Sequence, residues 1–153
     1  MLHNSCAAIV SRLAGYDHAV EVGVGRCTDV AAGLAARGVD VVATDVRQRG
    51  TPPGVTFARE DVTDPDPGRY ASADVVYALR CPPELQRPLR EAARLGDADC
   101  FFTTLGTDPA VVPADPETLE GTTLFRARTD GPGTGRPDRG DAGTETVRGG
   151  GPA

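Results

Sequence analysis

Between positions 21 and 28 the chain reads Glu-Val-Gly-Val-Gly-Arg-Cys-Thr, and the residue types there could do chemistry. Gly23 and Gly25 carry no Cβ, so the backbone can turn tightly and a ligand can approach the main chain. Asp45 stands 20 residues after Gly25, where a carboxylate can accept both hydroxyls of a ribose. Asp61 either receives an adenine amino group or caps its own turn. Glu21 lies just before the loop; ionised there, it repels phosphate and favours a cation. A ligand with a sulfonium and an ammonium but no phosphate, S-adenosylmethionine, suits this set better than a dinucleotide, whose fingerprint asks for a third glycine where Thr28 stands. Arg26 fits either a methionine carboxylate or a phosphate. A tight turn without a ligand is the remaining reading of the same residues.

A second group is Tyr77-Ala78-Leu79-Arg80-Cys81-Pro82-Pro83-Glu84, expected on the substrate side. Arg80 would hold an anionic group, and Glu84 would serve as a general base if partly buried. The plainer reading is that Pro82 and Pro83 start a helix, Glu84 favours its positive end and Arg80 is solvated. Cys27 and Cys81 follow strands expected to be neighbours, so the two thiols are expected to approach each other. Tyr77 reads as core, His3 and His18 as surface or structural residues without a carboxylate partner, and Arg87, Arg90 and Arg94 as a solvated helix face. No cysteine and histidine spacing suggests a metal site or a disulfide framework.

These residues need a scaffold that brings strand ends together. Helical spacing of apolar residues predicts a first helix over 4–14, and Thr28 or Asp29 caps another running to Arg37. Strands are expected over 18–24, 39–46, 55–60, 73–79 and 99–104, with a further short one over 122–127. A helix is expected from Pro83 to Leu95, bent or delayed by Pro88. Alternating strands and helices predict a three-layer, Rossmann-like α/β fold, reduced in size, with a mostly parallel sheet in the order 3-2-1-4-5. Its ligands bind at the carboxyl ends of the strands.

The chain has 153 residues, 39% of them hydrophobic, enough for one domain, assigned to residues 1–128. Residues 129–153 hold 8 glycines and 3 prolines and read as a disordered tail. Net charge is -6, all the basic residues are arginine, and aspartate outnumbers glutamate, a composition that suits a mildly salt-adapted cytosol. Without a basic cluster, nucleic acid is not the expected partner. The sequence offers no apolar run for a membrane span and no secretory leader, so a cytoplasmic location with no membrane partner is expected. A small nucleotide-like ligand is the expected partner, along with a second copy of the chain or another protein.

In order and strand placement, Glu21-x-Gly23-x-Gly25, Asp45 and Asp61 resemble the adenosylmethionine-binding motifs of class I Rossmann-like methyltransferases over residues 17–105, with Cys27 at the usual third glycine. More narrowly, EVGVG followed by DVVYALRCPPELQRPLREAARLGDAD is similar to a small archaeal family of uncharacterised Rossmann-like proteins. The resemblance implies the fold and the cofactor type, with Glu21, Gly23, Gly25, Asp45 and Asp61 as cofactor-binding residues. It names no catalytic residue. The Pro-Pro segment resembles the amine-accepting loop of N-methyltransferases, but Cys81 and Glu84 replace its hydrogen-bond acceptor and its aromatic ring, so amine methylation is not supported. After Thr104 one short strand and no cap are expected, which leaves a large substrate to be gripped by a partner chain. Two functions follow: a minimal adenosylmethionine-binding methyltransferase with an unknown acceptor, or a catalytically silent nucleotide-binding or regulatory module. An oxidoreductase using NAD or NADP is disfavoured by Thr28 and Glu21.

Overall fold

The structure, a computed structural model, describes residues 4–129. Apart from Thr129, the expected tail lies outside the described residues, as does His3. The elements are α1 (Asn4–Leu13), β1 (His18–Val22), α2 (Asp29–Ala36), β2 (Asp40–Asp45), β3 (Val55–Arg59), α3 (Pro67–Ala71), β4 (Val75–Ala78), α4 (Pro83–Arg94), β5 (Asp99–Phe102), β6 (Ala114–Leu119) and β7 (Thr122–Ala127). They build one sheet in the order β3-β2-β1-β4-β5-β7-β6. Strands β1 to β5 are parallel in the expected 3-2-1-4-5 order, and β7 pairs antiparallel with both β5 and β6.

The pleat sends alternate residues to opposite faces, and both faces are covered. Ala19, Val41, Ala43, Val75, Tyr77 and Phe101 pack with Val10 and Leu13 of α1 and with Val30 and Leu34 of α2. On the other face Val20, Val22, Val76, Cys100 and Phe102 meet Tyr70 of α3 and Leu89, Ala92 and Ala93 of α4. All four residues of β4 are buried, which explains why the central strands read as unbroken apolar runs. Each such side chain removed from water contributes roughly 1.5–3 kcal/mol before entropy is counted.

Several expectations need correction. Two strands, not one, follow Thr104. The first, β6, is the edge of the sheet and largely exposed, so it lacks apolar alternation, and an edge strand tolerates Pro116. It is tied to α1 by Arg12, whose Nε donates to Glu117 Oε1 at 2.7 Å. The short helix α3 is set by its cap: Asp66 accepts from the Gly68 N–H at 3.0 Å, and Pro67 occupies the first turn. Thr28 takes the N-cap position of α2 without making a side-chain bond. Helix α4 starts at Pro83 as expected and runs through Pro88 without ending. Arg90 is not on a solvated face. It is only 7% exposed, and its Nε donates to the Arg128 carbonyl at 2.6 Å, so its apolar stem lies in the core while its head ties α4 to the end of β7. His18 does have a carboxylate partner: its Nδ1 lies 3.2 Å from Asp40 Oδ2, at the amino end of the sheet.

Candidate functional site

The carboxyl ends of β1 and β2 carry the expected loop. Gly23 and Gly25 both adopt left-handed backbone angles, φ 70° and 60°, which other residues adopt only at a cost. A Cβ built at Gly23 would meet nothing within 4 Å, and one at Gly25 only the Gly23 carbonyl at 4.0 Å. The ground above the turn is therefore open main chain. Its shape is fixed from β2: Asp45 Oδ2 accepts the Gly25 N–H at 2.8 Å, and Asp45 Oδ1 accepts the Arg47 N–H at 3.0 Å. The Arg49 guanidinium stands 3.5 Å from that same Oδ1. Burial alone would raise the Asp45 pKa, but these two backbone donors and the arginine outweigh it and hold the carboxyl below its ordinary value, hence ionised.

Glu21 lies on the same strand end yet does not face solvent. It is 1% exposed, and its Oε1 accepts the Tyr77 hydroxyl at 2.8 Å. Burial pushes its pKa up to about 8 against the pull of that bond, so at neutral pH the group is a protonated acid. The expected repulsion between a Glu21 charge and a phosphate is therefore absent in this structure. Tyr77 is core, as expected, and is Glu21's partner on the adjacent strand.

Beyond β3, Asp61 caps its own turn: Oδ1 accepts the Thr63 N–H at 2.9 Å and the Thr63 hydroxyl at 2.7 Å. Those bonds lower its pKa. Asp61 borders a bowl of about 500 Å³ lined by Arg59, Glu60, Asp61, Asp64, Asp66 and Arg69. Glu60, which the sequence reading passed over, builds this wall. Its carboxylate accepts from the Asp66 N–H at 2.7 Å, the Tyr70 hydroxyl at 2.7 Å and the Arg69 guanidinium. Its position at the close of the third strand, directly before Asp61, was the available signal.

On the other side of β1, Arg80 follows β4 with a positive φ of 52°. Its N–H donates to Thr103 Oγ1 at 2.7 Å, and the next amide, Cys81, bonds the Thr103 carbonyl at 2.8 Å. Pro82 is the N-cap of α4 and Pro83 its first residue. Glu84 is exposed in the first turn, so the burial a general base would need is missing. Gln86, one turn further, is fully buried: its Nε2 donates to the Pro109 carbonyl at 2.9 Å and its Oε1 accepts the Val111 N–H at 2.7 Å. That paired amide holds the loop after β5 against α4.

Cys27 and Cys81 do not form the expected neighbouring pair. Cys81 is buried in the cluster beneath α4, along with Cys100. Cys27 acts electrostatically on Cys6, which packs against the α1 and α2 cluster on the opposite face. Burial pushes the Cys81 thiol up to about 12, far from the thiolate range a nucleophile needs.

The chain has relatives in sequence and neighbours in fold. A UPF0146 protein from Halobacterium salinarum is 49% identical over 121 residues, 78% of this chain and 94% of that protein. One from Archaeoglobus fulgidus is 47% identical over 89 residues, covering 58% and 68% of the two chains. Among solved structures, the adenosylmethionine-bound amino pentose methyltransferase CalS10 of Micromonospora echinaspora matches with a TM-score of 0.53 at 19% identity, over 81% of this chain. This chain spans 62% of that enzyme's length. An RNA methyltransferase from Salinibacter ruber, in complex with S-adenosylhomocysteine, matches with a TM-score of 0.53 at 18% identity, over 78% of this chain and 88% of the other. At such identity the likeness is one of fold, and the fold is that of adenosylmethionine-dependent methyltransferases. With its residues 3–128 matched to the family model, the chain belongs to the uncharacterised protein family UPF0146.

Proposed function

We propose that the chain binds S-adenosylmethionine at the carboxyl ends of β1 and β2 and is a minimal methyltransferase acting on an unidentified acceptor. The observation that carries this reading is the open main chain above Gly23 and Gly25, bounded by an ionised Asp45 that fixes the loop through the Gly25 N–H. The residues fit such a cofactor. Asp45 keeps lone pairs for ribose hydroxyls, Gly23 and Gly25 let the amino acid portion lie against the backbone, and Asp61 borders the bowl that would take the base. Glu21 would act through its protonated acid and its bond to Tyr77, holding the floor of the loop rather than pairing with a cation.

When bound, the cofactor supplies a methyl group on a positively charged sulfur. The chain's own part is to orient an acceptor, and alignment alone can accelerate such a transfer strongly. Arg80 and the Pro82-Pro83-Glu84 turn lie across β1 from Asp45 and form the acceptor side. One observation favours the silent-module alternative. Glu84 is exposed, and Glu21 is buried, protonated and already accepting the Tyr77 hydroxyl, so neither is placed to take a proton from an acceptor. Calorimetric titration with adenosylmethionine and adenosylhomocysteine tests the reading: both should bind, and Asp45→Ala should weaken both at least tenfold, the worth of one or two charge-assisted hydrogen bonds. Binding that survives Asp45→Ala, or affinity for NAD in place of adenosylmethionine, would sink it.

A further inference from the structure

The arginines among the described residues divide into two groups. Arg12, Arg49, Arg69, Arg90, Arg94, Arg126 and Arg128 pair with carboxylates. Among the described residues Arg26, Arg37, Arg47, Arg59, Arg80 and Arg87 have no carboxylate partner, and all are exposed. Four of the unpaired ones share one edge of the molecule. Arg59 closes β3, Arg47 follows β2, Arg26 follows β1 and Arg80 follows β4. Those strands are consecutive in the sheet. One unpaired arginine thus stands at the carboxyl end of each of four adjacent strands, and with strands about 4.8 Å apart the row spans about 14 Å.

The rest of the molecule sharpens the contrast. Net charge is -6, and at the amino ends of three of these strands Asp40 opens β2 while Asp17 and Asp74 directly precede β1 and β4. The positive row therefore stands at one end of an otherwise acidic chain, which attracts anions to that end. One backbone detail marks the same end. Arg80 holds a left-handed backbone conformation rare outside glycine, of the kind that persists where function requires it. Arg59 is held in the row by its own bond, Nε to the Val46 carbonyl at 3.0 Å.

We propose that this row binds the phosphates of a small phosphorylated ligand, laid across the ends of β2, β1 and β4. Guanidinium groups suit phosphate oxygens through paired N–H donors. A nucleic acid strand is the other source of the same chemistry, but it is gripped as a rule by bases stacking on aromatic rings. No aromatic residue is exposed among those described. Past β3, the carboxylates of Asp61, Asp64 and Asp66 limit how far an anion can extend. Binding of this kind does not depend on adenosylmethionine, and it is measured without it.

Inorganic tripolyphosphate is the probe, read by calorimetry and thermal shift at low and high salt. Wild type should bind it with an affinity that falls as salt rises. Arg47→Gln and Arg80→Gln should each weaken binding roughly five- to tenfold and flatten the salt dependence. Arg37→Gln, an exposed arginine at the other end of the sheet, should bind like wild type and controls for net charge. Absence of binding in wild type, or equal weakening by Arg37→Gln, would overturn the proposal. A short oligouridylate that binds where tripolyphosphate does not would overturn the small-ligand assignment. If adenosylmethionine binds and tripolyphosphate does not, this inference fails alone; the converse would sink only the methyl-donor reading.

Discussion

At the scale of single residues, Glu21 carries the clearest pH signature. Its folded pKa is raised to about 8 by burial, so the native state holds a proton that the unfolded chain releases in the ordinary carboxylate range. Stability from this group is complete in acid and is lost as pH climbs through the interval up to about 8. Asp45 runs the other way, but its lowered pKa leaves its contribution constant above the ordinary carboxylate range. Denaturant unfolding should therefore show wild type weakening between about pH 5 and pH 8 by on the order of a few kcal/mol, and no further above that. Glu21→Gln, which can still accept from the Tyr77 hydroxyl, should remove most of that slope. A slope unchanged in the variant would mean that Glu21 is ionised when folded. Arg80 offers a second check: Arg80→Gly relieves the positive φ and should stabilise by roughly 1 kcal/mol, measured by the denaturation midpoint, while costing affinity for anions. The glycine turn and Asp45 were readable in the sequence because a carboxylate 20 residues past a Gly-x-Gly falls at the next strand end in this fold. That Glu21 is a sealed acid was not readable, since its burial comes from packing against residues distant in sequence, Tyr77 among them, 56 residues away.

Elements are positioned by a small number of contacts that sequence patterns miss. Gln86 looks like one polar residue on a helix, yet it satisfies the Pro109 carbonyl and the Val111 N–H. Gln86→Leu would leave both without a partner, at a cost of about 1–3 kcal/mol. Hydrogen exchange should find the Val111 amide strongly protected in wild type and exposed to solvent in the variant. Gly96 is another such point: a Cβ there would run into the Tyr70 backbone carbonyl, so Gly96→Ala should fold poorly or not at all, read by far-UV dichroism and solubility. Helix α4 itself was legible from Pro83 and its apolar spacing, whereas the burial of Arg90 was not. Its acceptor is a carbonyl 38 residues on, and no local period encodes it. For the same reason β6 was invisible: an exposed edge strand has no buried face to impose alternation.

Taken as a whole, the molecule is a sheet covered on both sides and closed at one edge by the β6 and β7 hairpin. That edge contributes the Phe102–Phe125 stack, with ring centroids 5.4 Å apart, and buried Leu124 and Ala127. A chain ending at residue 113 would leave β5 unpaired along that side and should be recovered as aggregate rather than folded protein, judged by size-exclusion chromatography. Strand order was legible because alternating strands and helices admit few arrangements; which sheet face a loop residue serves was not, and the separation of Cys27 from Cys81 shows it. This separation has a practical outcome. Cys6 and Cys27 are half-buried, whereas Cys81 and Cys100 are buried, with thiols that burial keeps protonated. A maleimide should modify two sites on the native chain and four in denaturant, so the protein carries an internal gauge of its own unfolding, read as adduct mass by mass spectrometry.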